Sequence, residues 1–393
     1  MPQDPPGNHR VPPDRSPPDR SPPRPSLQVD QTGAIPLQGP QVDEEAAPWL
    51  QILAQDPGRA DAHRALWGVY RRRGDEERAQ TELAALCFLR QATTEEVAQH
   101  ERQRSARLHR CTGVLNEDAW IGCVYRSDQS RLLSALSAVV SGPLALRKAL
   151  EARRYGLQPE ERRAAAGEQT LFGNVFSYTA RLLGVPAPDL YYRPEERAPL
   201  RLANISEGGR LLPAVVVGQP LLSGVGEKEL AFRCAQFLAK LRPEHLLRLL
   251  LPTLGELRLA LRAALLLAQE QLSGQAPPLG STPDAVVEAY REQLRDALPA
   301  AGLLQLRRIV EITLRDAPEG ARPDEGAWVQ AVDGTAQRAA LIACGDLELA
   351  LQVTAREPAD AGALPIPVIE RQRELLRYAA SPRYHAARRY LGC

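Results

Sequence analysis

Residues 213–241 read PAVVVGQPLLSGVGEKELAFRCAQFLAKL, a short apolar run that leads through a glycine-containing loop into a longer amphipathic segment. The three valines of residues 215–217 are typical of a strand buried on both faces. Gly224 favours a loop, and the apolar periodicity over residues 227–241 predicts a helix that Pro243 ends. The centre of the chain is therefore predicted to fold as strand, loop and helix.

The flanking sequence extends this pattern into a domain. Helical patterns and strand-like runs precede the valine run, with helices expected over 117–153 and 160–183 and strands over 189–192, 200–204 and 213–217. The most apolar stretch, residues 246–268, contains Arg248, Glu256, Arg258 and Arg262, which oppose membrane insertion and favour a buried or amphipathic helix. The predicted fold class is mainly α (α+β), with a small three-stranded sheet and no membrane span.

Composition excludes several function classes. Lys and Arg total 49 against 48 Asp and Glu, so a net charge of +1 provides no general attraction to nucleic acid or anionic lipid. The aromatic content of 5% argues against an aromatic-rich nucleic-acid surface. Heavy use of arginine, alanine and proline is typical of a GC-rich genome, and we expect a cytoplasmic bacterial protein.

Proline and cysteine further define the organisation. Twelve of the 34 prolines lie in residues 1–40, and residues 12–26 repeat PPDRS, PPDRS, PPRPS. We expect residues 1–40 to form a disordered Pro/Arg-rich tail, either a polyproline ligand or a spacer. The six cysteines are scattered without a CxxC motif, which favours reduced thiols, and the spacing of His100, His109, Cys111 and Cys123 matches no common zinc pattern.

A helical-hairpin pattern precedes the main domain. Small and large residues recur over residues 60–86, with Tyr70 in an aromatic position, Ala79 in a small one and Leu83 in a large one, and this pattern resembles a tetratricopeptide repeat (TPR). In that frame Pro57 closes the preceding repeat, and Trp67 and Tyr70 are expected in the hairpin core. We predict TPR-like hairpins over residues 41–113 that dock on the rest of the chain, either as a peptide-binding surface or as a packing element.

A second resemblance covers roughly residues 164–351. The succession of LGVP, strands, VVVG and the segment around residues 227–241 is similar to the core of HtpX-like zinc metallopeptidases of the gluzincin type. The resemblance implies a zincin-like α+β domain over residues 114–393. It also implies an extended-peptide groove beside the strand at 215–217, lined by Leu202, Asn204, Val216, Gln236 and Phe237.

The zinc ligands of that family are replaced here. In the HExxH motif two histidines bind zinc and the glutamate activates water. The resemblance places Gln236 and Lys240 in the histidine positions, Phe237 in the glutamate position and Asp333 in the third-ligand position. These residues imply no metal, no cofactor and no catalytic residue.

The C-terminal region is locally basic. Six arginines accompany three tyrosines after residue 370, yet the apolar spacing also fits amphipathic helices interrupted at Pro382. We favour helices that dock on the domain over a nucleic-acid surface.

These patterns together predict a non-catalytic interaction or scaffold protein with an unidentified protein or peptide partner. Two alternatives stay open, a zinc-dependent peptidase or other hydrolase with atypical ligands, and a nucleic-acid-binding adapter that uses the basic C-terminus.

Overall fold

The computed structural model describes residues 44–273, 285–316, 323–357 and 366–393. The predicted tail over residues 1–40 lies outside these ranges. Within them the chain is mainly α with one small mixed sheet, which confirms the predicted fold class. No helix in the described ranges combines the length and the apolar character that a membrane span requires.

Four helices form the hairpin region. They are α1 (Ala47–Gln55), α2 (Ala60–Arg72), α3 (Glu76–Phe88) and α4 (Thr94–Gln103). Gly74 adopts a left-handed φ of 70° at the turn after α2, and the Asp75 side chain then caps α3 by accepting from the Arg78 N–H. Trp67 and Tyr70 pack in the core of this region, as predicted.

Three further helices lead to the sheet. They are α5 (Glu117–Ala119), which continues into a π-helical turn (Trp120–Val124), α6 (Arg131–Lys148) and α7 (Leu171–Leu183). The helical patterns predicted over 117–153 and 160–183 were therefore too long. The chain leaves α6 because Leu150 pairs with Ile205 at the edge of the sheet, a tertiary contact that local periodicity does not reveal.

The sheet contains β1 (Asp189–Arg193), β2 (Leu200–Glu207) and β3 (Arg210–Gly218) in the order β1-β3-β2. Strand β3 pairs in parallel with β1 and antiparallel with β2. The valines of residues 215–217 are fully buried in this central strand, as their β-branched sequence predicts.

The remaining helices follow the sheet. They are α8 (Glu227–Leu238), α9 (Leu247–Leu250), α10 (Leu254–Ser273), α11 (Ala285–Ala297), α12 (Ala300–Asp316), α13 (Glu325–Cys344), α14 (Leu347–Arg356), α15 (Val368–Ala380) and α16 (Pro382–Leu391). Helix α8 packs between α7 and α13, and the apolar faces of α6 and α9 to α13 meet around Trp328. Helix α15 ends at Ala380 and α16 begins at Pro382, as the interruption at this proline predicts. Both helices pack on the main body, which confirms the predicted docking.

The hairpin region packs directly on this body. Helix α3 contacts α14 and α15, and Ala380 of α15 belongs to the same apolar cluster as Leu53 and Tyr70. One contact is covalent, since Cys111 and Cys393 form a disulfide with their Cα atoms 4.6 Å apart. The prediction that all six cysteines are reduced is therefore wrong for this pair. Spacing along the chain could not reveal it, because the two residues are 282 positions apart.

Candidate functional site

The residues aligned with the second and third zinc ligands lie in contact. Lys240 Nζ lies 2.7 Å from Asp333 Oδ1, and the Arg248 guanidinium reaches Asp333 Oδ2 at 3.2 Å. Lys240 follows α8, whereas Asp333 lies in the middle of α13, so the close packing of these two helices brings the pair together. We refer to Lys240, Arg248 and Asp333 as the Asp333 cluster.

The electrostatics of the Asp333 cluster favour a charged carboxylate. Burial raises the pKa of Asp333, but Lys240 and Arg248 outweigh that effect and hold the pKa below its ordinary value. Both carboxylate oxygens face a cation. A zinc ion at Asp333 would therefore have to displace two ion pairs and approach two positive charges.

The other two aligned positions do not supply ligands either. Gln236 donates from Nε2 to Glu357 Oε2 at 3.1 Å, and Phe237 is an apolar, half-buried side chain. Among the described residues no three His, Cys, Asp or Glu side chains are grouped as a metal site would require. This donor set does not fit the zinc site that the resemblance implies.

The predicted peptide groove beside β3 is not available for strand addition. Strand β3 is central, so both of its edges are already hydrogen-bonded, to β1 and β2. The outer edges are partly covered as well, by Leu150 on β2 and by Arg163 on β1. A peptide therefore cannot add as a strand to β3 itself, and peptide binding by the predicted groove residues stays a prediction.

The individual groove residues have structural surroundings. Val216 is fully buried, Leu202 is half-buried on β2, and Asn204 is 6% exposed. The Asn204 side-chain amide donates to the Ala145 carbonyl at 2.5 Å and so joins β2 to the end of α6. These residues hold the sheet to its neighbouring helix and do not converge on an open surface.

A cleft of about 350 Å³ lies where the hairpins meet the main body. We call it the junction cleft. Its walls come from α3, from α4 and the segment after it, from the start of α8, from the α13–α14 turn and from α16. The lining residues that matter here are Glu76, Glu77, Gln80, Arg104, Arg107, His109, Lys228, Cys344, Asp346, Tyr384, Arg388 and Cys393.

Asp346 joins the walls of the junction cleft. Its carboxylate accepts from Arg104 Nε at 2.9 Å, from Arg104 Nη2 at 3.0 Å and from Lys228 Nζ at 2.9 Å, and it also caps α14 through the Leu349 N–H. Burial raises the pKa of Asp346, but Arg104, the Leu349 N–H and Lys228 outweigh it and lower the pKa below its ordinary value. Three elements are thus fixed by one carboxylate.

His100 strengthens the same contact. Its Nε2 lies 2.9 Å from Glu348 on α14, and the residue is 9% exposed. His100 is nearly buried because α4 turns this face toward the main body. His109 lies beyond α4 and is exposed, so the two histidines do not share a helix.

Other charges in the junction cleft stay available. Among the described residues Glu76, Arg107 and His109 are exposed and form no ion pair, whereas Arg388 is paired with Glu77. Glu76 belongs to α3, whereas Arg107 and His109 belong to the segment after α4. The cleft therefore offers separated charges of both signs.

The basic C-terminal arginines are mostly engaged inside the molecule. Five of the six bind carboxylates or backbone carbonyls, namely Arg371 with Glu357, Arg373 with Asp56, Arg377 with Glu374, Arg383 with the Gly122 and Tyr125 carbonyls, and Arg388 with Glu77. Arg389 is exposed. These contacts favour docking over a free basic surface for nucleic acid.

Comparison with the models of known protein families, with curated proteins and with solved structures gives no match. The geometry of the chain itself therefore carries the functional argument.

Sequence reasoning missed the residues of the junction cleft. Arg104, Lys228 and Asp346 come from three segments more than 100 residues apart, so local patterns do not bring them together. A usable signal was the Gly345-Asp346 pair, since glycine ends a helix and aspartate begins the next. That signal predicts the turn but not its partners.

Proposed function

We propose that this chain is a non-catalytic, cytoplasmic interaction protein whose junction cleft binds a polar segment of a partner protein. The observation that carries the proposal is the cleft itself, which lies where the hairpin region meets the main body and is lined by the exposed Glu76 and Arg107, neither of which forms an ion pair among the described residues. The occupant we propose presents a carboxylate toward Arg107 and His109 and a cationic side chain toward Glu76.

The fixed geometry of the cleft walls supports this proposal. Asp346 ties α4 and α8 to the α13–α14 turn, and Arg388 ties α16 to α3. Walls that are held by such pairs lose little conformational freedom when a ligand binds, which favours affinity. The cleft volume suits a few side chains of a partner rather than a folded domain.

The Asp333 cluster supports the non-catalytic part of the proposal. The one carboxylate in a zinc-ligand position is neutralised by two cations, and the position of the general base is a phenylalanine. No other observation favours a hydrolase, and the engaged C-terminal arginines give no support to a nucleic-acid adapter.

Charge reversal in the cleft tests the binding role. We expect the double variant R107E/H109E to retain about a tenth or less of the partner recovered with the wild-type chain, because it opposes the acidic group of the occupant. The measurement is quantitative mass spectrometry of proteins co-purified from the organism that makes this chain.

The matched control is Arg147→Glu, an exposed arginine at the end of α6 and outside the cleft. Equal loss of partners in R147E and R107E/H109E would contradict a specific role of the cleft, and so would unchanged recovery in both.

A further inference from the structure

The disulfide between Cys111 and Cys393 forms part of the junction cleft. Cys111 is 1% exposed, whereas Cys393 is half-buried and lines the cleft. A thiol reagent that enters the cleft therefore reaches the Cys393 sulfur before the Cys111 sulfur. This arrangement differs from that of a disulfide sealed within a core.

One end of the disulfide is fixed to the main body. The Cys111 N–H donates to the Tyr178 hydroxyl at 3.0 Å, and Arg181 Nη2 donates to the Cys111 carbonyl at 3.0 Å. Arg110 and Arg181 both lie over the Tyr178 ring. The backbone of Cys111 is thus held to the main body by two hydrogen bonds.

The other end belongs to the segment that follows α16. The Thr112 and Gly113 N–H groups donate to the Leu391 carbonyl at 3.1 Å and 2.8 Å. The backbones approach so closely that a Cβ on Gly113 would lie 2.9 Å from Leu391 Cα. The disulfide and these two hydrogen bonds together clamp the end of α16 against residues 111–113.

The clamped helix forms a wall of the cleft. Tyr384 and Arg388 of α16 line it, and Arg388 pairs with Glu77 on the facing α3. A change in the anchoring of α16 at its end is therefore transmitted to the cleft within one or two helical turns.

The other cysteine that lines the cleft, Cys344, does not take part in thiol–disulfide exchange. Cys344 is 2% exposed and its thiol lies 3.6 Å from the Leu341 carbonyl. Burial raises the pKa of Cys344 to about 12, so its thiol stays protonated near neutral pH and does not attack the disulfide.

We propose that Cys111 and Cys393 are a reversible thiol–disulfide exchange site that controls the junction cleft, with a dithiol protein or small dithiol as the reductant. In a cytosolic protein a disulfide is usually catalytic or redox-sensing rather than structural. Control of the cleft and the cytosolic setting rest on the proposed function, whereas access to the Cys393 sulfur from the cleft is a feature of the structure alone.

The exchange is balanced in two steps. A thiolate of the reductant attacks Cys393 Sγ, a mixed disulfide forms, the Cys111–Cys393 bond breaks, and Cys111 leaves as a thiolate that takes a proton from solvent. The second thiol of the reductant, as its thiolate, then attacks the first sulfur of the reductant, which is bonded to Cys393 in the mixed disulfide. This step releases Cys393 as a thiolate, which takes a proton from solvent. The protein gains two electrons and two protons, and the reductant becomes a disulfide.

The test uses the full-length chain, folded and without denaturant, treated with the dithiol dithiothreitol. Differential alkylation and mass spectrometry identify the cysteines that become reactive, circular dichroism follows the fold, and hydrogen exchange is followed at Thr112 and Gly113. We expect Cys111 and Cys393 to become alkylated while the circular dichroism stays unchanged, and the two amides to exchange about tenfold faster or more.

Cys393→Ser should show the fast exchange without reductant, and Cys87→Ser, at a free half-buried cysteine, should behave as the wild type. A disulfide that is reduced only after unfolding in urea would overturn the proposal, as would reduction that leaves exchange at both amides unchanged. None of these readouts needs a partner, so their failure is distinct from a failure of partner binding in the charge-reversal experiment.

Discussion

Asp333 illustrates how single side chains set the chemistry of this molecule. It lies between the Lys240 ammonium and the Arg248 guanidinium, and it is 25% exposed at the side chain. The three charges stabilise one another only as a group, since removal of one leaves the others partly buried without compensation. The cluster therefore joins α8, α9 and α13 and blocks metal binding at the same time.

The Asp333→Asn variant should be destabilised by about 1–3 kcal/mol, because it leaves two cations close together and partly buried. Chemical denaturation of purified protein measures the loss. Asp128→Asn serves as the control, since Asp128 pairs with Arg126 at an exposed position and should cost less than about 1 kcal/mol. Equal losses in the two variants would contradict the account of the cluster.

The buried His63 lies between two hydrogen-bond partners, Glu82 and the Pro57 carbonyl. Its Nδ1 lies 2.5 Å from Glu82 Oε2 and its Nε2 lies 2.9 Å from the Pro57 carbonyl. Both partners only accept hydrogen bonds, so the ring must carry two protons and a positive charge to satisfy them. Burial lowers the pKa of His63, but Glu82 and the Pro57 carbonyl outweigh it and raise the pKa above its ordinary 6.5.

The contribution of His63 to stability should therefore be fully present below pH 6.5 and decrease as pH rises through the higher pKa of the folded state. Denaturation of wild type and His63→Gln across this range measures the difference, which we expect to shrink by roughly 1 kcal/mol at high pH. His245 and His385, whose pKa values are lowered, act in the opposite direction and cancel in this comparison. A difference that grows with pH would be incompatible with a charged His63.

At the scale of elements, the sheet depends on contacts that cross between strand and helix. Asn204 is buried, and its amide donates to the end of α6, while its backbone carbonyl accepts from Leu150. These bonds cover the outer edge of β2 and leave less of it open to a partner strand. The sheet is therefore fixed to α6, a helix that does not line the junction cleft.

Asn204→Ala should cost about 1–3 kcal/mol of stability, because the Ala145 carbonyl loses its buried donor. Partner recovery from cells should stay unchanged for the fraction that folds. Denaturation and quantitative co-purification measure the two effects, with the half-buried Leu202→Ala as a comparison on the same strand. Loss of partner binding at full stability would instead support the original groove hypothesis.

The elements were more predictable than their arrangement. Valine clustering at 215–217 and the helical period after residue 227 depend on local preferences, and both were confirmed. The order of the strands, the disulfide and the Asp346 contacts depend on pairings between distant segments. Local sequence carries no information on those pairings, so the central position of β3 was not foreseen and the junction cleft was missed.

At the scale of the whole molecule, the hairpins and the main body are joined by charges as well as by apolar packing. Arg104 and His100 of the hairpin region bind Asp346 and Glu348 of α14, and Arg373 of α15 binds Asp56. Such contacts cross the boundary that the sequence suggested near residue 113. We expect the described regions to unfold together, in a single transition.

Arg104→Gln tests this coupling, because it removes the guanidinium that forms two hydrogen bonds with the Asp346 carboxylate, a residue that is only 7% exposed. We expect a loss of about 2 kcal/mol and a lower midpoint for the whole transition. Arg102→Gln on the exposed face of α4 is the control, since Arg102 bonds only to the Ala98 carbonyl of its own helix among the described contacts. Separate melting of a hairpin unit in the wild type would contradict the coupling.

Site-specific photo-crosslinking in living cells tests the central claim, that the junction cleft binds a partner protein. A photoreactive amino acid replaces Gln80, which is exposed on the α3 wall of the cleft, and in a second strain replaces Arg147, which is exposed outside it. We expect a discrete crosslinked adduct from position 80 that is absent from position 147 and lost in the R107E/H109E background. No adduct at position 80, or the same adduct at both positions, would contradict it.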